Sequence, residues 1–374
     1  MKKYNLKKHK IFSCYTLITT ILFLLPIISC TSLNNMPVDV YVGGEAYIGN
    51  ANVPVAVYWK NGELVPLSTK YWKDDEKPPS TRSSCVNDIF VYGNDVYAGG
   101  YYKRIYRTEN PESIDMDDYE EREVWVACYW KNGKLISLSN SKYGSNVDSI
   151  FVSGNDVYVD GSIRTKDRII TGYWKNGKWN DHALIISNNN LYTVDHDGYW
   201  KNGELIKFPV LEEKSSSITY STFISGNDVY SCGFYNKNND FDMDMACYWK
   251  NGKIIPLSAL DPAKYSSFAT SIFVSGNDVY IVGLLAERYY QSIRSQTACY
   301  WKNGKMRELK PIDKNRDSWA DSIFVYGKDV YISGLCESRD GKIQGYWKNG
   351  TWVGFKEKGE RGSSIFVVPR PTEQ

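Results

Sequence analysis

The sequence predicts an all-β fold, a seven-bladed β-propeller with four-stranded blades whose ring is closed by a C-terminal strand joining the first blade. Two repeated elements and one displaced strand lead to this prediction. Repeats at intervals near 50 residues are typical of propellers and related repeat folds. The pentapeptide Tyr-Trp-Lys-Asn-Gly occurs seven times, beginning at Tyr58, Tyr129, Tyr173, Tyr199, Tyr248, Tyr300 and Tyr346.

Each repeat unit consists of four short predicted strands. The first two come from a segment typified by Ile-Phe-Val-Ser-Gly-Asn-Asp-Val-Tyr, and the third contains Tyr-Trp-Lys. A fourth strand follows the Asn-Gly pair. These segments are rich in β-branched and aromatic residues, and Gly-Asn and Asn-Gly suit two-residue hairpin turns. The nine-residue segment and its variants lie at 89–97, 150–158, 223–230, 272–280 and 323–331, with a degenerate copy at 184–192.

The ends of the repeat region indicate how the ring closes. The first unit begins with the second strand of the repeat, at 38–43, and has no first strand before it. A segment with the sequence of a first strand occurs instead at the other end of the chain, at 363–367. Pairing these two segments would complete the first sheet and cover its exposed edge. We therefore predict a propeller over 38–368 and a tail over 369–374. An open solenoid of hairpins is the alternative, but it leaves the displaced strand unexplained.

The N-terminal segment is predicted to be an export signal. Five lysines precede an apolar run over 11–29, which ends at Cys30 and is followed by a polar linker. This pattern predicts a lipoprotein signal peptide over 1–29 and a lipidated linker over 30–37, with Cys30 acylated. The alternative is an uncleaved membrane helix, because the run is just long enough to span a bilayer. The predicted location is the cell envelope, at the outer membrane or cell surface.

Charge and cysteine content exclude several classes of site. Residues 30–374 carry 40 basic and 43 acidic side chains, which offers no electrostatic attraction to nucleic acid. Three cysteines occupy one repeat position in different blades, too far apart to be bridged, so free buried thiols are expected. A bridge between Cys232 and Cys247 stays open. No zinc pattern occurs, and no cofactor is predicted. The remaining cysteines of the exported chain are Cys85, Cys128, Cys299 and Cys336.

One acidic run resembles the beginning of a calcium-binding loop. Asp240, Asp242 and Asp244 alternate as at the start of an EF-hand loop, but the glycine and the closing glutamate are missing. We therefore assign no metal site.

Function is expected where the repeats differ from one another. The repeated Trp is predicted to pack between blades, whereas length variation falls on the connections at one face of the ring, where repeat proteins usually bind. Exposed Tyr and Arg are enriched at interfaces. The binding candidates on this face are Tyr101, Tyr102, Arg104, Tyr106, Arg107, Phe234, Tyr235, Phe241, Arg288, Tyr289, Tyr290 and Arg294.

A second set of polar residues is predicted to surround the mouth of the central channel. Asp88, Asp148, His182 and Asp321 each stand just before the first strand of a unit. Two functional classes follow. The first is a binding or scaffold module for an envelope protein or glycan. The second is a glycan hydrolase or lyase that uses carboxylates at the channel mouth. No catalytic residue is assigned.

The repeats carry a family resemblance. The chain resembles bacterial lipoproteins built of Tyr-Trp-Lys-Asn-Gly repeats over essentially its whole exported length. This resemblance implies a propeller architecture and export, and it brings no established active site. Gly99-Gly100 followed by Tyr129-Trp130 is distantly similar to kelch repeats, and the Ser-x-Asp-x-Gly-x-x-Trp turn of sialidases is absent.

Overall fold

The computed structural model is built from β-strands, and its described residues contain no helix. None of those residues could therefore form a membrane-spanning helix. The predicted signal peptide and the acylated Cys30 lie outside this part of the chain. The structure describes residues 36–49, 53–67, 83–109, 119–181, 185–187, 190–195, 198–201, 204–209, 216–236, 244–257, 261, 264–289, 292–359 and 362–370.

The strands form seven four-stranded antiparallel sheets. The first contains β1 (Val38–Ala46), β2 (Val55–Lys60), β3 (Glu63–Pro66) and the C-terminal β28 (Gly362–Pro369). The second contains β4 (Ser84–Tyr92), β5 (Asp95–Glu109), β6 (Tyr119–Lys131) and β7 (Lys134–Ser137). The third contains β8 (Ser145–Ser153), β9 (Asp156–Arg164), β10 (Ile169–Lys175) and β11 (Lys178–Asn180). The fourth is the shortest, with β12 (Ile185–Ser187), β13 (Asn190–Asp195), β14 (Gly198–Lys201) and β15 (Glu204–Lys207).

The last three sheets repeat this plan. The fifth contains β16 (Ser216–Ser225), β17 (Asp228–Asn236), β18 (Asp244–Lys250) and β19 (Lys253–Pro256). The sixth contains β20 (Tyr265–Ser275), β21 (Asp278–Tyr289), β22 (Ser292–Lys302) and β23 (Lys305–Glu308). The seventh contains β24 (Ser318–Tyr326), β25 (Asp329–Ser338), β26 (Gly341–Lys348) and β27 (Thr351–Lys358). The prediction of four-stranded sheets is confirmed.

The tight turns have the backbone geometry that their residues predict. The Asn of the Asn-Gly turn has φ between 50° and 53° in six sheets, and the following Gly has φ between 77° and 87°. Two successive positive φ values define the type I′ hairpin turn. In the other hairpin turn only the Gly, for example Gly93 with φ 59°, is positive, as in type II′. Both turns therefore match the right-handed twist of their strands.

The Lys and Asn of the repeated pentapeptide fasten each sheet beside these turns. In the second sheet, Lys131 lies 2.8 Å from Asp95, and the Asn132 amide donates to the same carboxylate at 2.7 Å. The Asn132 side-chain oxygen accepts the backbone N–H of Val96, and the Lys131 ammonium lies over the Tyr97 ring. The hydrogen bond from Lys131 is the main reason that the pKa of Asp95 is lowered. Equivalent pairs recur in the first, third, fifth, sixth and seventh sheets.

The repeated tryptophans pack between sheets, as predicted. Trp249 is fully buried, its ring centroid lies 5.1 Å from that of Phe208 in the preceding sheet, and its N–H donates to the Pro209 carbonyl. Trp59 in the first sheet stacks on Phe355 in the seventh at 4.7 Å. These contacts make the Trp part of the scaffold. The tryptophans that are at most 1 % exposed are Trp59, Trp130, Trp174, Trp249, Trp301 and Trp347.

Phenylalanines of the innermost strands join neighbouring sheets near the axis. Phe223, Phe273, Phe324, Phe366 and Phe90 contact one another in that order, with centroid separations of 4.8, 5.0, 5.0 and 4.9 Å. They belong to the fifth, sixth, seventh, first and second sheets. Because β28 supplies Phe366, the C-terminal strand lies between the last sheet and the second one.

The sheets are arranged as the blades of a β-propeller. The C-terminal β28 pairs with β1, with Phe366 opposite Tyr41 and Val367 opposite Val40, as the displaced repeat predicts. A ring of seven sheets has seven junctions. Contacts among the described residues define six of them, and the junction between the third and fourth sheets is not among these six.

The cysteines of the described chain are all free and buried. Cys232 and Cys247 are included, so the bridge left open between them is absent and the expectation of buried thiols is confirmed. Burial raises the pKa of the Cys247 thiol well above its ordinary value. No group of three metal-binding side chains occurs among the described residues. Asp240 and Asp242 of the acidic run that resembles a calcium loop lie outside the described residues.

Candidate functional site

The hairpin geometry gives the propeller two faces. The face that carries the tight turns between first and second strands and between third and fourth strands is called the tight-turn face. The opposite face, which carries the connections between second and third strands and between sheets, is called the variable face. The binding candidates and the channel-mouth candidates were both predicted on the variable face.

Two predicted loop residues of the second sheet are buried strand residues instead. Tyr101 and Tyr102 lie within β5, which continues to Glu109 and pairs along its length with β6. The prediction that they are exposed on a loop is wrong, because the hairpin extends the sheet rather than leaving it. Trp125, which the sequence analysis did not select, is 41 % exposed and stacks on Tyr101 at 5.3 Å.

The other candidates of this hairpin are partly covered. The Arg104 guanidinium lies 4.4 Å from the centre of the Tyr106 ring, and the Tyr106 hydroxyl donates to the Asn140 carbonyl. Arg107 lies in β5, but its side chain is outside the described part of the structure. Arg104 and Tyr106 are half-buried, so only part of each side chain is available to a ligand.

The candidates of the fifth sheet are mostly buried. Phe234 and Tyr235 lie in β17, where Phe234 packs edge-on against Phe268 and the Tyr235 hydroxyl contacts the Met245 sulfur. Their assignment to an exposed loop is wrong for the same reason as in the second sheet. Phe241 lies outside the described residues.

The sixth sheet contributes one exposed candidate. Arg294 is exposed and lies 3.9 Å from Glu287, whereas Arg288 is half-buried. Tyr289 ends β21 with an undescribed side chain, and Tyr290 lies outside the described residues. The structure therefore does not bring the twelve candidates together as one exposed surface.

A repeated β-bulge shapes the innermost strands beside the channel. The pairing of five of these strands shifts by one residue at the same repeat position. A bulge leaves one residue outside the ladder and redirects its side chain. Apart from Asn87, these residues are partly exposed while the residues on both sides of each are buried, which places them toward the channel. The bulged residues are Asn87, Asp148, Tyr220, Thr270 and Asp321.

Two bulged residues also reach the neighbouring sheet. The Asn87 amide donates to the Val147 carbonyl at 2.7 Å, and the Thr270 hydroxyl donates to the Ala320 carbonyl at 2.8 Å. Both acceptors directly precede the bulge of the next sheet. An ionised carboxylate at this position has no proton to donate, so Asp148 in that state presents only acceptor oxygens.

Asp88 follows the first of these bulges and joins three sheets. One carboxylate oxygen accepts the Ile89 N–H and the Ser364 hydroxyl, and the other accepts the Ile150 N–H. Burial raises the pKa of Asp88 to about 7, although these hydrogen bonds act to lower it. Asp88, which was predicted to lie at the channel mouth, is thus buried, and hydrogen bonds from the protein itself occupy its carboxylate oxygens. Its role is structural.

Asp148 is a channel-mouth candidate that remains partly accessible. It is half-buried, protein surrounds it closely, and the Asn146 amide donates to it at 2.9 Å. Burial raises the pKa of Asp148 to about 7, against the effect of that hydrogen bond. Asp160 on β9 lies opposite Ser149, and burial followed by the charge of Asp148 raises its pKa well above the ordinary value. Two carboxyl groups near the axis therefore interact.

The direction of the Asp160 side chain follows from the repeat geometry. At the position equivalent to Asp160, a Cβ on Gly99 would meet Val147 and Ile150 of the next sheet. By the same geometry the Asp160 side chain points away from the second sheet, and its Oδ1 has no hydrogen-bond partner among the described residues. His182 lies outside the described residues. Asp321 is half-buried at the bulge of the seventh sheet.

Asp148→Asn is expected to stabilise the fold at high pH. The pKa of Asp148 is raised from 3.8 to about 7, so the folded protein binds this proton more tightly than the unfolded chain does. Stability then falls as pH rises from about 4 to 7, and the loss is complete above that range. We expect a gain of about 2–4 kcal/mol at pH 8 and a much smaller one at pH 4. Urea unfolding at both pH values, with exposed Asp340→Asn as the control, measures it.

An Asp148→Asn variant with the same stability increment at both pH values would contradict the raised pKa. The control is matched because Asp340 also lies on the variable face but outside the channel.

Comparison with known proteins shows no shared family. No protein-family model and no characterised protein sequence matches the chain. Among solved structures, an ulvan lyase of the polysaccharide lyases is similar with a TM-score of 0.37 and 9 % identity, covering 85 % of this chain and 80 % of its own. A Trypanosoma rangeli sialidase mutant with trans-sialidase activity has a TM-score of 0.37 and 10 % identity, covering 88 % and 52 %.

A third similar structure is an exo-1,5-α-L-arabinanase from a bovine ruminal metagenomic library. Its TM-score is 0.30 at 8 % identity, covering 72 % of this chain and 97 % of its own. Likeness at this level carries no argument about a site or an activity.

Proposed function

We propose that this protein is a lipid-anchored cell-envelope β-propeller of seven blades that binds a glycan at the channel mouth on its variable face. One observation carries the binding proposal. The same bulge recurs at one level of five innermost strands, yet four different residue types, Asn, Asp, Tyr and Thr, occupy that position. A repeated scaffold with a variable residue at one level is the arrangement expected of a ligand site on a repeat fold.

Seven blades in a closed ring are part of this proposal. The support is the seven four-stranded sheets, the pairing of β28 with β1, and the six junctions that join the sheets in sequence order. Closing the ring requires the third and fourth sheets to face each other. In a closed ring the sheet edges that remain are short and protected.

The chemistry at the channel mouth suits a polyhydroxylated ligand. Asp148, Asp321 and Thr270 supply acceptor oxygens, to which the hydroxyl groups of a sugar can donate. Phe268 and Trp319 stand two residues before the bulges of their strands, so they project from the same side. Both are half-buried aromatic side chains, and the apolar faces of sugar rings pack on such surfaces. Polar groups convergent with aromatic ones favour a glycan over a protein ligand.

Binding to soluble polysaccharides tests the proposal. Neutral, acidic and amino-sugar polymers are titrated into the full-length acylated protein in detergent, and into an Asp148→Asn, Asp321→Asn variant at pH 8. We expect at least one polymer to bind and the variant to bind about tenfold or more weakly, since each acceptor that loses its charge weakens a charge-assisted hydrogen bond. Asp340→Asn is the control and should bind normally.

Two results would contradict the glycan site. One is the absence of binding to every polymer by a folded protein. The other is binding that the double variant retains while a variable-face substitution away from the channel abolishes it.

A glycan hydrolase or lyase is the second candidate, and the pKa values of two acids favour it. Burial raises the pKa of both Asp148 and Asp160, and the charge of Asp148 raises the pKa of Asp160 further. Glycosidases use one protonated and one ionised carboxyl group, a combination that unequal environments produce. In that case Asp148→Asn abolishes the release of reducing ends or unsaturated products from a bound polymer and leaves binding unchanged. A polymer that is bound but never cleaved excludes this candidate.

A further inference from the structure

We infer that the tight-turn face is a membrane-docking surface for anionic lipid headgroups, which directs the variable face away from the bilayer. The inference rests on the anchor at Cys30 in the proposed function and adds to it the orientation and the lipid partner. It is carried by where the anchored chain enters the fold and by how charge is divided between the faces.

The anchored chain enters the ring on the tight-turn face. Met36, Pro37 and Val38 line a pocket together with Gly327 and Lys328, which belong to a tight turn of the seventh sheet. Arg370, just after β28, donates its backbone N–H to the Pro37 carbonyl at 2.8 Å. Both chain ends of the first sheet therefore lie on the same face as the hairpin turns.

The tether is too short to reach the other face. Met36 is six residue steps from Cys30, and at about 3.6 Å per extended step this segment spans at most about 22 Å. From there, β1 runs over nine residues, Val38–Ala46, toward the variable face. At about 3.4 Å per residue this strand is about 30 Å long, so the variable face lies beyond the tether. An acyl chain on Cys30 keeps the tight-turn face toward the bilayer.

The tight-turn face is also the basic side of the molecule. It comprises the Lys of every pentapeptide, the residue after its Gly, the Asp that opens the second strand in six of the sheets, Lys328 and Arg370. These positions hold thirteen basic and eight acidic side chains, whereas residues 30–374 as a whole hold 40 basic and 43 acidic ones. The excess of positive charge therefore lies on this face, and the rest of the exported chain is net acidic.

Part of this positive charge is not neutralised locally. The pentapeptide lysines are paired with aspartates, as Lys250 is with Asp228 at 2.9 Å. The lysines after the Gly of the turn are different, since they are exposed and make no ion pair among the described residues. Basic groups held at a membrane surface attract anionic headgroups, and each contributes independently. These lysines are Lys134, Lys178, Lys253 and Lys305, and Lys328 in the seventh sheet is similar.

Site-specific labelling measures the orientation. Lys253→Cys and Asp340→Cys each place one reactive thiol on an exposed position, on the tight-turn and variable faces respectively, because the native thiols of the described chain are buried. A fluorophore on each variant is exposed to nitroxide-headgroup lipid in phosphatidylglycerol vesicles carrying the acylated protein. We expect quenching at residue 253 to exceed that at residue 340 several-fold. Equal quenching, or more at residue 340, would overturn the orientation.

A charge-matched pair of variants tests the lipid partner. Changing Lys134, Lys178, Lys253 and Lys305 to Gln is expected to weaken binding to phosphatidylglycerol vesicles about tenfold or more and to leave binding to phosphatidylcholine vesicles unchanged. The control changes the exposed lysines Lys142, Lys166, Lys310 and Lys314 on the variable face, with the same loss of charge. Equal loss in both variants shows a general charge effect and overturns the docking surface.

Mass spectrometry of the membrane-derived protein separates the two proposals. An acylated Cys30 with no difference between the two lysine variants refutes the docking surface alone. An unmodified Cys30 refutes the anchor in the proposed function, and it also removes the tether on which the orientation depends.

Discussion

Replacing Trp249 by alanine is expected to lower the free energy of unfolding by about 3–5 kcal/mol, the range for losing a large buried aromatic side chain. Trp249 is fully buried, packs on Phe208 of the preceding sheet and donates to the Pro209 carbonyl. Its removal leaves a cavity at a junction between sheets. Equilibrium urea unfolding, monitored by circular dichroism, measures the change.

Trp125→Ala is the matched control for this substitution. Trp125 is 41 % exposed at the variable face, so its removal opens no closed cavity and should cost much less. If Trp249→Ala were as stable as the native protein while Trp125→Ala were strongly destabilised, the assignment of the repeated Trp to the scaffold would be wrong. A stable Trp249→Ala that fails to bind polysaccharide would instead make the repeated aromatic residues the ligand site.

Deleting residues 362–374 is expected to abolish cooperative unfolding or to cause aggregation. The deletion removes β28, which pairs with β1 and supplies Phe366 to the contacts between the seventh and second sheets. It also removes the Ser364 hydroxyl from the carboxylate of Asp88. The edge of β1 then lies open, and an unpaired edge is prone to pair with another chain. Thermal unfolding and size-exclusion chromatography measure both outcomes.

A shorter deletion distinguishes the loss of β28 from the first sheet from the loss of the tail that follows it. Removing only 371–374 leaves β28 and Arg370 in place and should leave the unfolding transition unchanged. An unchanged transition after the longer deletion would mean that β28 adds nothing to the stability of the first sheet.

Most of the fold was predictable because its determinants are local. Asn-Gly and Gly-Asn specify hairpin turns through the φ values they accept, and these turns fix the register of the strands on either side. The pairing of β28 with β1 was predictable for another reason. The repeat omits one strand at the beginning and supplies it at the end, so a count of strands is sufficient.

The candidate site was less predictable because it depends on departures from strand periodicity. A bulge inserts one residue without a distinctive residue type, so the sequence did not show that Asp148 and Tyr220 leave the ladder. Tyr101 and Phe234 were assigned to loops because the repeat ends before them. Their strands continue, however, and both side chains become buried against neighbouring residues.

Asp88 illustrates why residue type alone did not separate structural acids from accessible ones. It occupies the position after the bulge, where the third and fifth sheets have Ser149 and Ser221, and its carboxylate accepts three hydrogen bonds. Asp148 precedes the same repeat position by one residue and stays half-exposed. One step along the strand therefore separates a buried structural carboxylate from one that a ligand can reach, and the distinction depends on the bulge.

The pairing of the two chain ends in one sheet also affects the order of folding. Asp39 forms an ion pair with Arg370, 331 residues later, and Asp88 accepts from Ser364, 276 residues later. Contacts so distant along the chain form late, since a long loop must close before they contribute. The first sheet therefore stays incomplete until β28, near the end of the chain, is available to pair with β1. A chain that stops before β28 keeps an open edge on β1, which can pair with another chain.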